Sequence, residues 1–219
     1  SNGVFNRDLQ PETGTNFELG VRSEFFRTVK ADITFYSFGL KETIVIRREE
    51  DGAEYFVNAG ETKQEGIEFS ANYSPVLSGR GPVNKIMVWS SFAYNHYRFG
   101  DYVKGQDDFS GNQLTGTPQH VWSGGIDVAS RIGLYVRATI LYTSKLPLND
   151  ANTVYAESYT IPGFRLGYNH KRFEVYVGGD NLLDESYSLG HDLNAAGGRY
   201  YNAAPARNFY GGMKVNLAF

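Results

Sequence analysis

The C-terminal stretch PARNFYGGMKVNLAF, residues 205–219, carries the pattern that decides the fold. Every second position in it is apolar or small: Phe209, Gly211, Met213, Val215, Leu217 and Phe219. The positions between them, from Asn208 to Ala218, are polar or small. A period of two is typical of a β-strand with one apolar and one polar face. Lipid and the core of a soluble antiparallel sheet cover such a face equally well, so the rest of the chain must decide between them.

Eight further segments of the chain are predicted to be strands. Strict alternation is present at Asn16–Phe25, Ile67–Ser74, Gly133–Ser144 and Arg172–Gly178. Less regular apolar patterns predict strands at Ala31–Val45, Lys85–Tyr97, Gln119–Ser130 and Ala156–Tyr168. A bulge is predicted at Pro162 and Gly163, because proline donates no ladder hydrogen bond. Both phases of Lys85–Tyr97 are apolar, so its two faces stay unassigned.

The connections between these strands alternate between short and long. The short ones lie at 27–30, 78–82, 131–132 and 169–171, and the long ones at 47–54, 100–118, 145–155 and 184–204. A barrel inserted from one side of a membrane predicts this order, whereas a Greek-key sandwich does not require it. Several strands also exceed about ten residues, the length that a tilted strand needs to cross a bilayer. We therefore predict an all-β, antiparallel, up-and-down transmembrane β-barrel.

Composition agrees with this fold class and excludes several functions. The chain has 16 Tyr, 15 Phe and 25 Gly, residue types common in strands and their turns. With no Cys, it has neither disulfides nor thiolate metal sites. The net charge of -3 and the lack of a basic run argue against a nucleic-acid partner. No apolar run approaches the roughly 18 residues of a membrane helix.

Residue types that carry covalent chemistry are present without a catalytic or metal-binding arrangement. The four histidines, His96, His120, His170 and His191, are far apart and match no metal-ligand spacing. The acidic pairs Asp107–Asp108 and Asp184–Glu185 lie in polar connections, which favours solvated charge over general acid–base catalysis. No serine lies in a nucleophile motif. We predict no enzyme activity and no metal or cofactor held by side chains.

Five segments together resemble the TonB-dependent outer-membrane receptors. Residues 8–14 with 16–20 are similar to the family's N-P-x-L-K-P-E-x-x-x-N-Y-E-x-G segment, and residues 58–68 to its N-A-G-x-x-x-x-x-G-x-E strand entry. Residues 111–120 match G-N-x-L-x-G-x-P-x-H, and residues 181–187 match N-L-F-D-x-x-Y with Leu183 for Phe. Arg207–Gly211 with the terminal Phe219 resemble the closing strand. The matches follow the family's order along nearly the whole chain.

This resemblance implies that residues 3–219 are the C-terminal portion, about nine strands, of a barrel of about 22 strands. The plug domain would then be absent from this chain, and TonB would be reached only through the missing N-terminal part. The implied location is the bacterial outer membrane, with lipid around the barrel. The terminal aromatic strand, with Phe209, Leu217 and Phe219, would be the signal for the barrel-assembly machinery, although Lys214 stands where that signal often has Gly.

The resemblance also implies a function, the import of a ferric siderophore, with iron present only inside that ligand. The long connections would face outward and contact it. For an anionic, catecholate-like chelate we expect stacking and charge contacts from Tyr102, Tyr155, Arg199, Tyr200 and Tyr201, and we expect His191 to contact haem or another ligand. Haem, cobalamin and glycans are the alternative ligands. An outer-membrane barrel enzyme and a soluble β-sandwich binding module are the alternative classes.

Overall fold

The computed structural model describes residues 8–48, 54–58, 60–75 and 81–215. In chain order the described strands are β1 (Thr13–Phe25), β2 (Val29–Lys41), β3 (Ile44–Arg48), β4 (Glu54–Asn58), β5 (Glu61–Tyr73), β6 (Val83–Phe99), β7 (Val103–Lys104), β8 (Asp107–Asp108), β9 (His120–Ser130), β10 (Leu134–Thr143), β11 (Leu146–Pro147), β12 (Tyr155–Ala156), β13 (Tyr159–Asn169), β14 (Phe173–Asp180), β15 (Ser188–His191), β16 (Tyr201–Ala203) and β17 (Asn208–Val215). One turn of 3₁₀ helix, Ala196–Gly198, separates β15 from β16. No helix within these ranges is long and apolar enough to cross a membrane.

The long strands form one nine-stranded antiparallel sheet in the order β1-β2-β5-β6-β9-β10-β13-β14-β17. Each long strand pairs with the next one along the chain, so the up-and-down topology predicted from the sequence is confirmed. The predicted alternation of connections is also present. Connections 26–28, 131–133 and 170–172 lie at one end of the sheet, the turn-side end, together with the described ends of the connection between β5 and β6. Connections 42–60, 100–119, 144–158 and 181–207 lie at the other, the loop-side end. Residues 78–80 of the predicted turn 78–82 lie outside the described part of the chain.

The long connections differ from the plain loops predicted for them, because each contains a small antiparallel hairpin. The four hairpins pair β3 with β4, β7 with β8, β11 with β12, and β15 with β16. The predicted strand Ala31–Val45 is therefore wrong at its C-terminal end. Glu42 has a φ of 56°, a left-handed conformation that ends β2 at Lys41 before the first hairpin begins. Of the predicted loop 47–54, residues 49–53 lie outside the described part of the chain.

One face of the sheet, the outward face, is apolar and exposed. The register places Ile33 beside Phe69 and Phe69 beside Phe92, which in turn lies beside Trp122. At the far edge Phe209 is 69% exposed, and Val215 is 51% exposed. No second sheet packs on this face within the described residues, which argues against a β-sandwich. Leu217 and Phe219 of the predicted assembly signal lie outside the described residues.

The opposite, inward face is polar and held by cross-strand ion pairs. Arg22 and Asp32 lie 2.5 Å apart between β1 and β2. Arg137 donates to Asp127 between β10 and β9. Such pairs of neighbouring strands are typical of a face that water reaches but lipid does not. The division into an apolar outward face and a polar inward face agrees with the barrel predicted from the sequence.

Glycines on the inward face make room for aromatic rings of the neighbouring strand. Tyr36 lies opposite Gly66, where a Cβ would approach the Tyr36 hydroxyl to 2.3 Å. Tyr135 lies opposite Gly167 in the same way, with 2.4 Å to its hydroxyl. The Tyr36 hydroxyl is then free to reach Asn95 at 3.0 Å. These cross-strand contacts pin the register, because a one-residue slip would put a side chain where the ring lies.

The structure assigns the two faces that the sequence left open in β6 and corrects the predicted bulge. Val88 lies opposite Ile126 on the outward face, so Trp89, one residue on, points inward over Gly125. The ladder between β10 and β13 runs without a register shift past Pro162. The Pro162 carbonyl accepts from Leu182 N at 3.0 Å on the opposite side of the strand, beyond the end of β14. Proline therefore fits without a bulge, since its missing N–H removes no ladder bond there.

Candidate ligand-binding site

Three loop-side connections converge on the carboxylate of Asp150, which is largely buried. Its Oδ1 accepts hydrogen bonds from the Thr115 hydroxyl at 2.6 Å and from Asn194 Nδ2 at 3.0 Å. Its Oδ2 accepts from the Tyr102 hydroxyl at 3.1 Å. We call these four residues the Asp150 cluster. Because the donors come from connections 100–119 and 181–207 and the acceptor from 144–158, one side chain joins all three.

Apolar packing surrounds the Asp150 cluster. Leu148 is fully buried against Leu146 and Ala156. The Tyr102 ring lies 4.7 Å from the Phe99 ring, between centroids. Gly116 donates its N–H to the Pro147 carbonyl at 2.8 Å and has a φ of 82°. The connections are thus packed against one another at the loop-side end.

Beside this packed region lies an open groove of about 610 Å³, which we call the Tyr159 groove. The residues that determine its chemistry are Glu157, Tyr159, Asp184, Glu185, Tyr187, His191 and Tyr201. Alternate residues of β13 share a face, so Tyr159 lies on the same face as Arg165, which pairs with Glu174 of β14. The groove is therefore at the loop-side end of the inward face.

The walls of the groove are aromatic. The Tyr159 and Tyr187 rings lie 5.0 Å apart with an interplanar angle of 38°. The His191 and Tyr201 rings lie 5.9 Å apart and nearly perpendicular, at 73°. Tyr201 is 60% exposed and donates its hydroxyl to the Tyr155 carbonyl at 3.3 Å. The exposed Tyr201 ring and the half-buried rings of Tyr159, Tyr187 and His191 offer flat surfaces on which a ligand can stack.

The charges of the groove are acidic. Asp184 pairs with Arg207 at 3.6 Å. For the carboxylates of Glu157 and Glu185, no hydrogen-bond or ion-pair partner exists among the described residues. Burial lowers the pKa of His191 below its usual 6.5, so its imidazole is neutral at pH 7. The groove therefore carries uncompensated negative charge.

The residues predicted from the sequence as ligand contacts do not form one cluster. His191 and Tyr201 line the Tyr159 groove. Lys145 Nζ lies 5.1 Å from the centroid of the Tyr155 ring. Tyr200 packs against the buried cluster that contains Leu148. Arg199 is exposed after the 3₁₀ turn. Tyr102 was expected to face the ligand, but it is 2% exposed, so that expectation is corrected: its ring fills the packed region between the connections.

The sequence prediction missed Tyr159, Tyr187, Glu157 and Glu185. Tyr187 had a signal, because it closes the motif-like segment 181–187. Asn181, which opens that segment, is buried; its Oδ1 accepts from Glu185 N at 2.8 Å, and its Nδ2 donates to Glu185 O at 2.9 Å. This closed turn positions Tyr187 at the groove. Tyr159 and Glu157 had no motif, since they flank an ordinary strand start.

Two of the four histidines, His96 and His120, lie beside the same ring, Tyr94, with 6.4 Å and 5.2 Å between ring centroids, whereas His170 and His191 lie in connections 170–172 and 181–207. His120 stacks on Phe92 with 5.9 Å between ring centroids, and His170 lies in the turn next to Phe173. Within the ranges that the structure describes, no three His, Asp or Glu side chains are grouped to hold a metal ion. The loop-side end thus presents aromatic rings and carboxylates in one open groove.

Comparison with known proteins places the chain in a family. The family model described as TonB dependent receptor-like, beta-barrel matches residues 1–182. The Ferrioxamine receptor of Yersinia enterocolitica is 28% identical over 156 residues, covering 70% of this chain and 20% of that protein. The chain thus spans about a fifth of that relative's length.

Solved structures share the fold over almost the whole chain. The siderophore receptor PiuA from Acinetobacter baumannii superposes with a TM-score of 0.71 at 20% identity, covering 94% of this chain and 28% of that one. The copper transporter OprC gives a TM-score of 0.72 at 16% identity, covering 96% of this chain and 32% of that one. Barrels of this family lie in the outer membrane of Gram-negative bacteria, so the expected location is confirmed. The chain belongs to the family of TonB-dependent receptor β-barrels.

Proposed function

We propose that this protein binds a ferric siderophore at the Tyr159 groove and takes part in its TonB-dependent import across the outer membrane. The observation that carries the proposal is the groove itself, which lies at the loop-side end of the inward face of a receptor barrel. A chelate seated there would stack on exposed rings at the start of a polar inner wall. The Ferrioxamine receptor and the siderophore receptor PiuA, by their names, take ligands of this class.

The likeness to a copper transporter shows that the fold alone does not choose the cargo. The choice of a siderophore over haem, cobalamin or a glycan is supported by the names of the relatives, the Ferrioxamine receptor and the siderophore receptor PiuA, and the groove is compatible with it. Its volume of about 610 Å³ lies within the usual range for small-molecule sites. Its lining offers aromatic faces and carboxylates. Iron would enter only within the chelate, and the protein would catalyse no covalent reaction.

The other partners follow from the same proposal. The outward face, with Phe209 and Leu134 exposed, would contact the lipid of the outer membrane. The last strand would be recognised by the barrel-assembly machinery, and energy would come through TonB acting on another part of the receptor. The loop-side end would face the cell exterior and the turn-side end the periplasm.

Uptake of radioactive iron tests this proposal. Cells that lack their own siderophore receptors would carry either the complete receptor or a Tyr159→Ala, Tyr187→Ala variant, and would receive iron as a ferric trihydroxamate. We expect the wild type to accumulate iron and the variant to lose about 90% of the initial rate at limiting chelate, as expected when two stacking rings are lost. Tyr73→Ala, at the turn-side end of β5, is the matched control and should leave uptake unchanged. Iron uptake that is equal in all three strains would contradict the proposed site.

A further inference from the structure

The Tyr159 groove combines two features that favour the same kind of ligand. Its rings present negatively polarised faces, with the Tyr159 and Tyr187 centroids 5.0 Å apart. A positively charged ammonium is attracted to such faces. An anionic group gains nothing from them.

The carboxylates of the groove add to this preference. Asp184 is compensated by Arg207, which lies 3.6 Å away and also donates its backbone N–H to Asp184 at 2.9 Å. Glu157 is exposed and Glu185 half-buried, and neither carboxylate has a partner in the described part of the chain. Among the residues that the structure describes, no lysine or arginine lines the groove. A cationic group on the ligand would therefore compensate the negative charges of Glu157 and Glu185.

An anionic chelate meets the opposite conditions. It would approach two unpaired carboxylates, and like charges brought together at an interface are strongly unfavourable. Arg199, which the sequence suggested as its partner, does not line the groove. The neutral imidazole of His191 adds no positive charge. The electrostatics thus run against the catecholate-like ligand expected from the sequence.

We infer that the Tyr159 groove selects ferric chelates that carry a free ammonium group over neutral and anionic ones, with Glu157 and Glu185 as its charge partners. This selection rests on the proposed function. The chelate's ammonium lies toward the two carboxylates, while its apolar linker lies along the tyrosine rings. Glu157 and Glu185 are specificity-determining residues of the site.

Three ferric probes test the selection on the complete receptor in outer-membrane vesicles. The first is a linear trihydroxamate that ends in a free ammonium, the second is the same chelate with that amine acetylated, and the third is a trianionic tris-catecholate. The first two differ only in the charged group. We expect the ammonium chelate to bind at least tenfold more tightly than its acetylated form, and the tris-catecholate to bind most weakly. Raising the salt concentration should reduce the difference in affinity between the ammonium chelate and its acetylated form, because salt screens charge–charge attraction.

A double variant assigns the effect to the two carboxylates. Glu157→Gln with Glu185→Gln should bring the ammonium chelate to the affinity of the acetylated one, while the acetylated chelate binds as it does to wild type. Glu24→Gln, which removes a carboxylate paired with Lys30 at the turn-side end, is the matched control and should change neither affinity. Retained heat-modifiable migration of each variant checks that the barrel is folded.

The results of these binding experiments distinguish the charge selection from the proposed function. Equal binding of the ammonium and acetylated chelates, or tightest binding of the tris-catecholate, overturns the charge selection and leaves the proposed function standing. A preference that survives unchanged in the folded double variant also overturns it. Failure of all three probes to bind the folded wild type overturns the proposed function itself.

Discussion

The Asp150 cluster and the Tyr159 groove are neighbours that both take residues from connections 144–158 and 181–207, yet the carboxylate of the cluster is hydrogen-bonded whereas two carboxylates of the groove are not. Around Asp150 each carboxylate oxygen accepts at least one side-chain hydrogen bond. In the groove, the side-chain carboxylates of Glu157 and Glu185 have no hydrogen-bond or ion-pair partner among the described residues. A satisfied and buried polar cluster stabilises the fold, whereas exposed and unpaired charge is available to a ligand. The comparison thus separates the scaffold of the loop-side end from its proposed binding surface.

The largest expected effect is on the scaffold. Asp150→Ala removes, from a buried region, the side-chain acceptor shared by Tyr102, Thr115 and Asn194. We expect the local opening free energy of connections 100–119 and 144–158 to fall by about 3 kcal/mol, since hydrogen bonds to a charged group are worth about 1.5–3 kcal/mol. Hydrogen exchange measured by mass spectrometry would show it. Asp192→Ala, an exposed neighbour, is the control, and equal protection in both variants would break the distinction drawn above.

A glycine pair sharpens the same comparison. Gly116 has a φ of 82°, and a Cβ there would approach Leu193 Cδ1 to 2.6 Å. Gly105 has a φ of 65° with open space around its Cβ position. Alanine at either site carries backbone strain of about 1 kcal/mol, and crowding adds at most about another 1 kcal/mol at Gly116, because the end of the 41% exposed Leu193 side chain can shift. The difference in thermal stability between Gly116→Ala and Gly105→Ala measures the packing term alone. A Gly105→Ala variant at least as destabilised as Gly116→Ala would show that the region is not tightly packed.

On the groove side, the effect should appear in binding and not in stability. Tyr201→Ala removes a ring that is 60% exposed, and we expect affinity for a ferric trihydroxamate to fall about fivefold, or about 1 kcal/mol. Tyr201→Phe keeps the ring and loses only the 3.3 Å hydrogen bond to Tyr155, so its affinity should stay within about twofold of wild type. Titration followed by fluorescence quenching measures both. If the two variants lose affinity equally, the hydroxyl and not the ring makes the contact.

The smallest expected effect is a pH dependence at the border between the two regions. Burial lowers the pKa of His191 below 6.5, so the folded hairpin of β15 and β16 prefers the neutral ring. Its stabilising contribution is complete above the unfolded pKa and is lost as the pH falls through the lowered folded pKa. Protection of residues 188–203, corrected for intrinsic exchange, should therefore be lower at pH 5 than at pH 7.5. His191→Gln should flatten this profile, and an unchanged slope would assign the titration to another group.

Most of the sheet was predictable from the sequence, because the alternation of apolar and polar residues within each strand shows that the strand has one apolar and one polar face. The two-residue period of Phe17, Leu19 and Val21 reports one apolar face whatever the neighbouring strand is. The short and long connections likewise follow from where the alternation stops. The errors came where the local signal was weak. Glu42, an ordinary residue in a left-handed conformation, ends β2 without a glycine or proline to mark it.

The candidate site was less predictable, and Tyr102 shows the reason. Its place in a long polar connection suggested exposure, but the Asp150 carboxylate, from another connection, draws it into the interior of the loop-side end. Tyr159 begins a strand and had no signal of its own, yet it meets Tyr187 from a distant connection.

The sequence alone was enough to predict the sheet, its apolar outward face, its membrane class and its family resemblance. Periodicity and motif order can be read directly from the order of the residues, without coordinates. The grouping of loop-side residues into a buried cluster and an open, acidic groove required the folded molecule. That grouping depends on how hairpins from separate connections pack against one another, and their contacts leave no period in the sequence.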